Sequence, residues 1–409
     1  MSTTTAPAPA RRGRGYGAVL RVPGMRAIAT AHTVSMVGTV AAEVALSILV
    51  YQRTASPLLS ALVLACSFVP YSVGGTLLSG VVDRFPARRV LVTCDVASAA
   101  LVAAMLLPGV PVGVLLLLLV ALGTVAPVFQ GARAASLVHL LDADGFPVGR
   151  SLIRTIGQSA VLVGFAAGAV VVAAVGTTWM LAADVASFLA SAALLRSGTP
   201  WTPPGGDDGE RGPRAVLRAS ADGLRHIATH PRLRALLLLT WFVPMFGAAA
   251  DGLAVAYTTS TGAASTSAGA LFTGYAVGLV AGEVVVARCA PVWRRRLVLP
   301  LVVVSQVPLV AFAAHPSLVV AAVLLAVAGS GHSYMLGTDP LLLEAADPEY
   351  RGRVFTVLTS GLMTLQGAGI AVAGALGTVA SPAWVVAGFG VVGLAASLVT
   401  ARVALRGAG

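Results

Sequence analysis

Twelve apolar blocks run along this 409-residue chain, and each is long enough to cross a lipid bilayer. A transmembrane helix needs roughly 17 to 25 apolar residues to cross a hydrocarbon layer about 30 Å thick. A barrel strand would instead show only about ten residues of alternating polarity. The sequence therefore predicts an all-α membrane protein with twelve transmembrane helices, numbered here as spans 1 to 12. Their expected limits are 27–50, 57–82, 90–107, 111–132, 154–175, 178–195, 234–250, 266–287, 297–313, 317–338, 354–378 and 383–402.

The composition requires a bilayer as the solvent. Apolar residues make up 57% of the chain, charged residues only 11%, and the mean hydropathy is +0.88. A water-soluble core cannot hide so many apolar side chains. Residues 1–26 are a basic tail without the apolar segment of a signal peptide. The three cysteines, Cys66, Cys94 and Cys289, are scattered, so neither a disulfide framework nor a metal site is implied, and no cofactor is expected.

The positive charges lie on one side of the predicted spans. The net charge of +11 arises from 27 arginines, because the chain has no lysine. Every arginine except Arg53 falls in the tail, in an even-numbered loop or at an adjoining helix end. The positive-inside rule then places both termini in the cytoplasm of a multi-pass protein in the bacterial inner membrane. A nucleic-acid surface would gather its charge on one soluble domain, so no nucleic-acid partner is expected.

A polar stretch after span 6 divides the spans into two sets of six. Its second part, AVLRASADGLRHIATHPRLR, has apolar residues at helical spacing with arginines on the other face, which predicts a helix at the cytoplasmic interface. The predicted domains are a disordered basic tail at 1–26, an N-terminal bundle at 27–196, a cytoplasmic linker at 197–233, a C-terminal bundle at 234–402 and a cytoplasmic tail at 403–409.

The two sets of spans repeat each other. LLDADGFPVGRSL at 140–152 follows span 4, and LLEAADPEYRGRVF at 342–355 follows span 10, an offset of about 202 residues. Gly80 and Gly282 show the same offset. Each pair stays on one side of the membrane, so the repeat is parallel, with its axis along the membrane normal. Chance similarity between apolar sequences is the alternative, but it would not give two polar loops a common offset.

The loop after span 2 reads Gly80-Val-Val-Asp83-Arg84-Phe-Pro-Ala-Arg88-Arg89. It resembles the cytoplasmic signature of the major facilitator superfamily, in which a glycine, an Asp-Arg pair and two basic residues follow at this spacing. The resemblance implies two pseudo-symmetric six-helix bundles and a cytoplasmic gate, in which the glycine permits close helix approach and the aspartate faces a helix N-terminus. The alternative is that these arginines are ordinary interfacial anchors. The implied gate residues are Gly80, Asp83, Arg84, Arg88, Arg89, Asp95 and Arg353.

Four further segments are similar to the macrolide-efflux and enterobactin-exporter group. They are TASPLLSALVLACSFVPYSVGGTLLSGVVDRFPARRVLVTCD, DGLRHIATHPRLRALL, ADVASF and DPEYRGRV. Together they extend over nearly the whole chain. The similarity implies export of drugs, antibiotics or siderophores by proton antiport.

Ionisable side chains inside hydrocarbon cost at least a few kcal/mol, so they are functional candidates. Glu43 follows Arg26 by seventeen residues, roughly 25 Å along a helix, and so lies in the outer half of span 1. In the superfamily the first, fourth, seventh and tenth helices line the cavity, which makes Glu43 the predicted carrier of the coupling proton. Asp184 and His332 are further candidates. The alternatives are a Glu43 tied to a neighbouring Ser or Thr, an Asp184 that only joins helices, and a His332 that reaches the interface.

Large or polar side chains on spans 4, 7 and 10 are the predicted substrate contacts. Such surfaces accommodate amphipathic ligands of several shapes. The alternative is that they face lipid or neighbouring helices. The predicted residues are Arg133, Trp241, Phe242, Met245, Phe246, Tyr334 and Met335.

Glycines recur at helical spacing on spans 2, 5, 8 and 11. They are predicted to allow close helix approach where the two halves move against each other, with loose packing as the alternative. The positions are Gly74, Gly75, Gly80, Gly164, Gly168, Gly274, Gly278, Gly282, Gly367 and Gly374.

These patterns predict a monomeric secondary transporter, not an enzyme, whose partners are the bilayer, protons and a small amphipathic compound that it exports by alternating access. No P-loop, HExxH or GxSxG pattern occurs in the sequence, which argues against an ATP-driven pump or a hydrolase. Two alternative functions stay open: a non-transporting scaffold or receptor on the same fold, and an importer of a small metabolite. An intramembrane enzyme would need His and carboxylates clustered in the spans, whereas the six His are scattered.

Overall fold

The computed structural model describes residues 16–77, 85–142, 145–201, 225–347 and 350–405, and these residues form helices and no β-strand. In the N half, spans 1 to 6 are Pro23–Thr54, Pro57–Leu77, Ala87–Met105, Val112–Leu140, Gly145–Val175 and Thr177–Gly198. In the C half, spans 7 to 12 are Pro231–Ser260, Ser265–Ala287, Val298–Ala314, Leu318–Ala345, Arg351–Leu376 and Pro382–Leu405. Short helices at Tyr16–Leu20 and Pro291–Arg296 precede spans 1 and 9, and residues 225–229 are helical before span 7.

Eight of the described helices are long and apolar enough to cross a membrane by themselves. Spans 2 and 9 contain the shorter apolar helices Pro57–Phe68 and Val298–Ala314. Helices also occupy the positions of spans 3 and 5, although span 5 begins at Gly145 rather than 154 because the polar residues before it extend the same helix. The predicted all-α membrane fold is thereby confirmed.

Proline marks the start of many spans. Pro23, Pro57, Pro231 and Pro382 are each the first residue of their helix. Proline suits this position because the first helical N–H has no partner within the helix and the ring already holds a helical φ. The prolines therefore mark these helix starts in the sequence to within a few residues.

Spans 7 and 10 are broken near their middle. Span 7 consists of Pro231–Gly247 and Ala249–Ser260, and Pro244 near the break lacks the N–H that a regular helix requires. Span 10 is interrupted by a 3₁₀ turn at His332–Tyr334, directly after Gly331. A break inside a membrane helix is tolerated where neighbouring helices or a cavity satisfy the freed backbone groups. Both breaks lie in helices that were predicted to line the cavity.

The two halves pack in the same way. In the N half, span 1 contacts spans 5 and 6, span 3 contacts spans 4 and 6, and span 2 contacts span 4. The C half repeats these contacts: span 7 contacts spans 11 and 12, span 9 contacts spans 10 and 12, and span 8 contacts span 10. The halves meet where span 2 contacts span 11 and where span 5 contacts span 8. These two contacts are equivalent, because exchanging the halves turns spans 2 and 11 into spans 8 and 5. The predicted pair of pseudo-symmetric six-helix bundles is confirmed.

Among the described residues, an apolar core joins the halves at one end of the molecule only. There a single buried cluster contains side chains of both halves, including Ile48 and Leu253. At the other end, which carries both chain termini, the N half and the C half have separate clusters that contain Val19 and Ala404, respectively. We call the end with the shared core the opposite end, and the end with the two separate clusters the terminal end. Among the described residues, the halves thus share one core at the opposite end and have separate cores at the terminal end.

Polar contacts between helices supplement the apolar packing inside each half. The hydroxyls of Ser47 and Ser60 lie 2.9 Å apart between spans 1 and 2, and both are buried. In the C half, Gln306 of span 9 donates a hydrogen bond to the carbonyl oxygen of Val243 on span 7 at 3.1 Å. Because lipid is as apolar as the helices, such bonds, each worth about 0.6 kcal/mol, and close van der Waals contact stabilise the bundle.

The predicted glycine faces serve two different interfaces. Gly168 of span 5 lies against the backbone of Ala41 on span 1, and Gly278 of span 8 lies against the carbonyl group of Ala326 on span 10. Both contacts are within one half, so it is not the glycine faces of spans 5 and 8 that form the contact between these two spans, and the prediction for these faces was wrong. Gly374 of span 11 does face the other half, where it contacts span 2. The spacing of glycines in the sequence identifies a helix face without side chains, but it does not identify the helix that packs against that face.

Candidate functional site

Two hydrogen bonds join the halves at the opposite end. Thr259 of span 7 donates to the hydroxyl oxygen of Tyr51 on span 1 at 3.0 Å. Gln52, also on span 1, donates from Nε2 to Oγ of Ser265 at the start of span 8, at 2.8 Å. We call these four residues the polar seam. It closes the opposite end with bonds that cross from one half to the other.

An aromatic stack lies in the same interface. Phe165 of span 5 and Phe272 of span 8 have ring centroids 5.1 Å apart and planes inclined by 25°. Both pack in the apolar core that the halves share. An aromatic pair contributes about 0.5–1.5 kcal/mol beyond the burial of its area.

On the terminal side, an ion pair joins the two halves. Nη1 of Arg154 on span 5 lies 3.6 Å from Oδ2 of Asp339 on span 10. Their side chains are 56% and 35% exposed, so the arginine is exposed and the aspartate half-buried. A partly exposed pair of this kind contributes roughly 0–1 kcal/mol and separates easily. His332 interacts electrostatically with the same arginine.

Two predicted carboxyl groups meet inside the N half. Ser67 of span 2 donates a 2.5 Å hydrogen bond to Oε1 of Glu43 on span 1. Asp184 of span 6 is 1% exposed, accepts a hydrogen bond from Ser187 at 3.1 Å and interacts electrostatically with Glu43. The absence of a side chain at Gly38 leaves room for Asp184 beside span 1. The structure therefore brings Glu43 and Asp184 together, while His332 lies in the C half.

Asp251 is an intramembrane carboxyl that the sequence analysis missed. It lies in the second helix of span 7, half-buried, and interacts electrostatically with Tyr275 of span 8. Asp251 follows Glu43 by 208 residues, the same separation as between Pro23 and Pro231, the first residues of spans 1 and 7. Counted from the starts of their spans the two carboxyls are equivalent in the structural repeat, whereas the 202-residue offset of the polar loops leads from Glu43 to Met245 and not to Asp251.

Arg133 of span 4 lies against span 1. Its Nη1 is 2.8 Å from Nδ1 of His32, and its guanidinium group stands 5.9 Å from the ring centre of Phe129. Arginine can only donate, so Nδ1 of His32 is the acceptor and the ring proton is on Nε2. His32 was not predicted, and its 9% exposure places this polar pair inside the N half.

Three predicted substrate residues make packing contacts in the C half. Tyr334 is fully buried, and its hydroxyl donates to the carbonyl oxygen of Thr240 at 3.4 Å. Phe246 meets the ring of Phe389 on span 12 with centroids 5.9 Å apart, and Met335 packs in the cluster that contains Tyr334. Tyr334 therefore has no surface free for a ligand, whereas Phe246 and Met335 keep part of theirs.

The other predicted substrate residues of the C half, Trp241, Phe242 and Met245, lie on the first helix of span 7. All three are half-buried. Trp241 donates from Nε1 to the carbonyl oxygen of Leu358 on span 11 at 2.9 Å, and its ring lies against Gly361. The bond fixes the orientation of the indole and leaves part of its surface free.

A small cavity with room for about one water molecule lies among spans 7 to 10. His332 and Tyr275 contribute to its wall together with Gln306, which is fully buried. Oε1 of Gln306 has no hydrogen-bond partner among the described residues. A buried oxygen without a partner is the kind of group that a water or a polar ligand satisfies.

Three of the seven predicted gate residues lie outside the described residues. Gly80, Asp83 and Arg84 fall between 77 and 85, and of Arg353 only the helical backbone is described. The structure leaves the gate itself a prediction.

The remaining gate residues belong to span 3. Arg88 is half-buried and Arg89 exposed, both in the first helical turn. Asp95 is 3% exposed and lies beside Ser191 of span 6. Its Oδ2 has no hydrogen-bond partner in the described part of the chain. In this position Asp95 joins two helices of the N half.

The sequence profile of the Major Facilitator Superfamily matches residues 28–253, from span 1 into span 7. No curated protein matches the chain significantly in sequence.

Several solved structures resemble the chain over almost its whole length. A bacterial homologue of the human lysosomal transporter Spinster, in an inward-facing and unoccupied conformation, is 14% identical, with coverage of 94% of this chain and 97% of that chain and a TM-score of 0.68. A POT family transporter in complex with 5-aminolevulinic acid is 9% identical, with coverage of 94% and 96% and a TM-score of 0.71. A D-xylose-proton symporter is 13% identical, with coverage of 92% and 96% and a TM-score of 0.67. At these identities the likeness concerns the fold alone.

Proposed function

This chain belongs to the Major Facilitator Superfamily, and from that premise we propose that it is a secondary transporter that exports a small amphipathic compound in exchange for protons. The observation that carries the proposal is that the described residues of the two halves share a core at the opposite end and form separate cores at the terminal end. With the terminal end in the cytoplasm of the bacterial inner membrane, as the arginine distribution indicates, this arrangement is the inward-open stage of an alternating-access cycle.

The outward-open stage requires the polar seam and the Phe165–Phe272 stack to separate while the cleft closes. Each neutral hydrogen bond contributes about 0.5–1.5 kcal/mol, and the stack contributes a similar amount. The seam and the stack together contribute a few kcal/mol, and the shared apolar core that contains Ile48 and Leu253 has to separate as well, so the differential binding of substrate and protons to the two stages has to offset both. Taken by itself, the seam is weak enough to open in each cycle.

Glu43 and Asp251 are the proposed carriers of the coupling protons. The internal repeat gives each half one of these carboxyls, on the spans that line the cavity in the superfamily. In this mechanism the carboxyls take up protons when the cleft faces outward and release them when it faces the cytoplasm. Proton binding and substrate binding exclude each other, which couples the inward proton flux to export. Asp184 of span 6 is the carboxyl that interacts electrostatically with Glu43.

Export and the class of cargo are supported by the sequence similarity to the macrolide-efflux and enterobactin-exporter group. Half-buried Trp241, Phe242 and Met245 offer apolar surface on span 7, and the partly exposed Arg154–Asp339 pair supplies charges across the cleft. This combination suits an amphipathic drug, antibiotic or siderophore.

The loop from Gly80 to Arg89 is proposed to close the cytoplasmic side against the start of span 11. Asp83→Asn should leave membrane insertion intact and abolish efflux. Undiminished efflux by that variant would remove the gate from the mechanism.

The function is tested first in cells. Accumulation of a panel of antibiotics and siderophores is measured with and without the protein, each in the presence and absence of a protonophore. The proposal expects lower accumulation of at least one compound, and the protonophore should abolish the difference. Higher accumulation would indicate an importer.

Purified protein in liposomes separates transport from a scaffold or receptor role. A pH gradient should drive uptake of the compound identified in cells, and the compound should in turn drive proton movement. Binding without any compound-dependent proton flux would contradict the proposal.

A further inference from the structure

Three side chains with metal-binding atoms meet at the terminal end of the C half. They are His226 and His230, which precede span 7, and Asp347, which follows span 10. One ligand atom from each lies within 4.8 Å of the other two. The histidines are four residues apart around the helical segment 225–229, a spacing that puts two side chains on one face.

His226 points a nitrogen without a hydrogen bond into this cluster. Its side chain is only 8% exposed, and Nε2 is buried with no hydrogen-bond partner among the described residues. The acid that faces it among the described residues is Asp347, whose Oδ2 is 3.7 Å away, too far for a hydrogen bond. The ring of Tyr350 stacks on His226 with centroids 4.3 Å apart and planes inclined by 2°, which fixes the imidazole.

His230 has the second contact typical of a metal-binding histidine. Its Nδ1 lies 2.8 Å from the carbonyl oxygen of His226. A bond to a carbonyl requires the proton on Nδ1, which leaves the lone pair on Nε2 available. Metal-binding histidines usually donate their other ring N–H to a carbonyl or carboxylate in this way.

We propose that His226, His230 and Asp347 bind a divalent cation of the zinc class. Two neutral imidazoles and one carboxylate are a common donor set for Zn²⁺, with water in the fourth position. Ligand atoms about 2.0–2.1 Å from a tetrahedral ion are roughly 3.4 Å apart, so the cluster has to contract by about 1.5 Å at most. Asp347 is 62% exposed and can make that movement.

The bound ion connects two segments that are distant in the sequence. The histidines stand at the end of the linker and directly before Pro231, whereas Asp347 directly follows the broken span 10. Binding therefore fastens the start of span 7 to the end of span 10, the two broken helices of the C half. The site is separate from the proposed carriers of protons and does not depend on the proposed function.

The sequence implied no metal site because its three cysteines are scattered and form no Cys/His cluster. The pair of histidines four residues apart was a signal in the sequence, but the third ligand comes from a distant loop.

The test uses the full chain, purified in detergent without a polyhistidine tag and treated with a chelator. Zn²⁺ is titrated at pH 7.5 against a fluorescent zinc chelator as competitor. One Zn²⁺ should bind per chain, and His226→Ala and Asp347→Asn should each weaken binding by roughly ten-fold or more. His139→Ala is the matched control, since His139 is exposed at the end of span 4 and should leave binding unchanged.

Size-exclusion profiles and melting temperatures without metal identify any variant that fails to fold. Asp347→Asn is the decisive variant because its exposed side chain can be replaced without disturbing the core. Zn²⁺ should raise the melting temperature of the wild-type chain and of His139→Ala, but not of Asp347→Asn. Absence of stoichiometric binding, or unchanged affinity in folded Asp347→Asn, would overturn the proposal and leave a simple ion pair between His226 and Asp347.

Discussion

Thr259 of span 7 donates a 3.0 Å hydrogen bond to the hydroxyl of Tyr51 on span 1, at the end of the molecule where both halves share one core. The Thr259 hydroxyl also lies 3.1 Å and 3.0 Å from the carbonyl oxygens of Val255 and Ala256 in its own helix. When the bond between the halves breaks, Thr259 therefore keeps an acceptor nearby. Opening the seam at this point leaves no threonine donor unsatisfied, which keeps its cost low.

Tyr51→Phe should favour the stage that is open at the opposite end. The change removes one hydrogen bond of about 0.5–1.5 kcal/mol, which shifts the equilibrium between the stages by roughly two- to ten-fold. Spin labels at Arg53 and Ser381, both exposed, report the distance between the halves by electron–electron double resonance. Thr378→Val is the control, because its hydroxyl bonds only to Ala375 of the preceding turn. Identical distance distributions for Tyr51→Phe and wild type would show that the bond has no part in closure.

Glu43→Gln should uncouple export from the pH gradient. Glutamine keeps the shape of the side chain and an oxygen that can accept the bond from Ser67, but it cannot take up a proton. We expect pH-driven transport in liposomes to fall at least about ten-fold, while exchange of labelled for unlabelled compound continues. Full pH-driven transport by this variant would exclude Glu43 as a proton carrier.

Asp251→Asn should have the same effect, since the repeat places Asp251 in the C half where Glu43 lies in the N half. Asp184→Asn is the informative comparison. Asp184 is almost fully buried and packs against span 1 beside Gly38, so the substitution should lower the melting temperature yet leave the coupling intact. If Asp184→Asn uncouples transport and Asp251→Asn does not, the carrier pair lies within the N half instead.

The Arg154–Asp339 pair should matter for transport more than for stability. Both side chains are partly exposed, so Asp339→Asn should change the free energy of unfolding by no more than about 1 kcal/mol. Transport should nevertheless fall, because the charge meets its partner across the cleft that must close. Reversal of the pair in Arg154→Asp with Asp339→Arg should restore transport at least partly. A double variant no better than either single variant would show that the two charges act independently.

The sequence was sufficient for the general fold because hydrocarbon permits few solutions to backbone hydrogen bonding. Span length, the arginines and the prolines at helix starts are all local features. Contacts between distant residues could not be predicted from the sequence. Tyr334 is a residue type that often contacts ligands, but here it is buried against Thr240. Asp251 was missed because the 202-residue offset of the polar loops does not lead to it from Glu43, and because hydropathy alone gives little weight to one carboxyl in a long apolar block.

Gly278→Ala should destabilise the C half, because a methyl group there would collide with the carbonyl group of Ala326 on span 10. The neighbour is backbone, so the two helices would have to separate, at a cost of about 1–3 kcal/mol. Gly388→Ala is the matched control: it lies within span 12, is exposed, and its added methyl would meet no atom within 4 Å. Thermal unfolding in detergent should show a lower melting temperature for Gly278→Ala and an equal or higher one for Gly388→Ala, since alanine favours the helix. Equal stability of the two variants would mean that spans 8 and 10 can move apart freely, and close contact could then no longer explain why this face carries glycine.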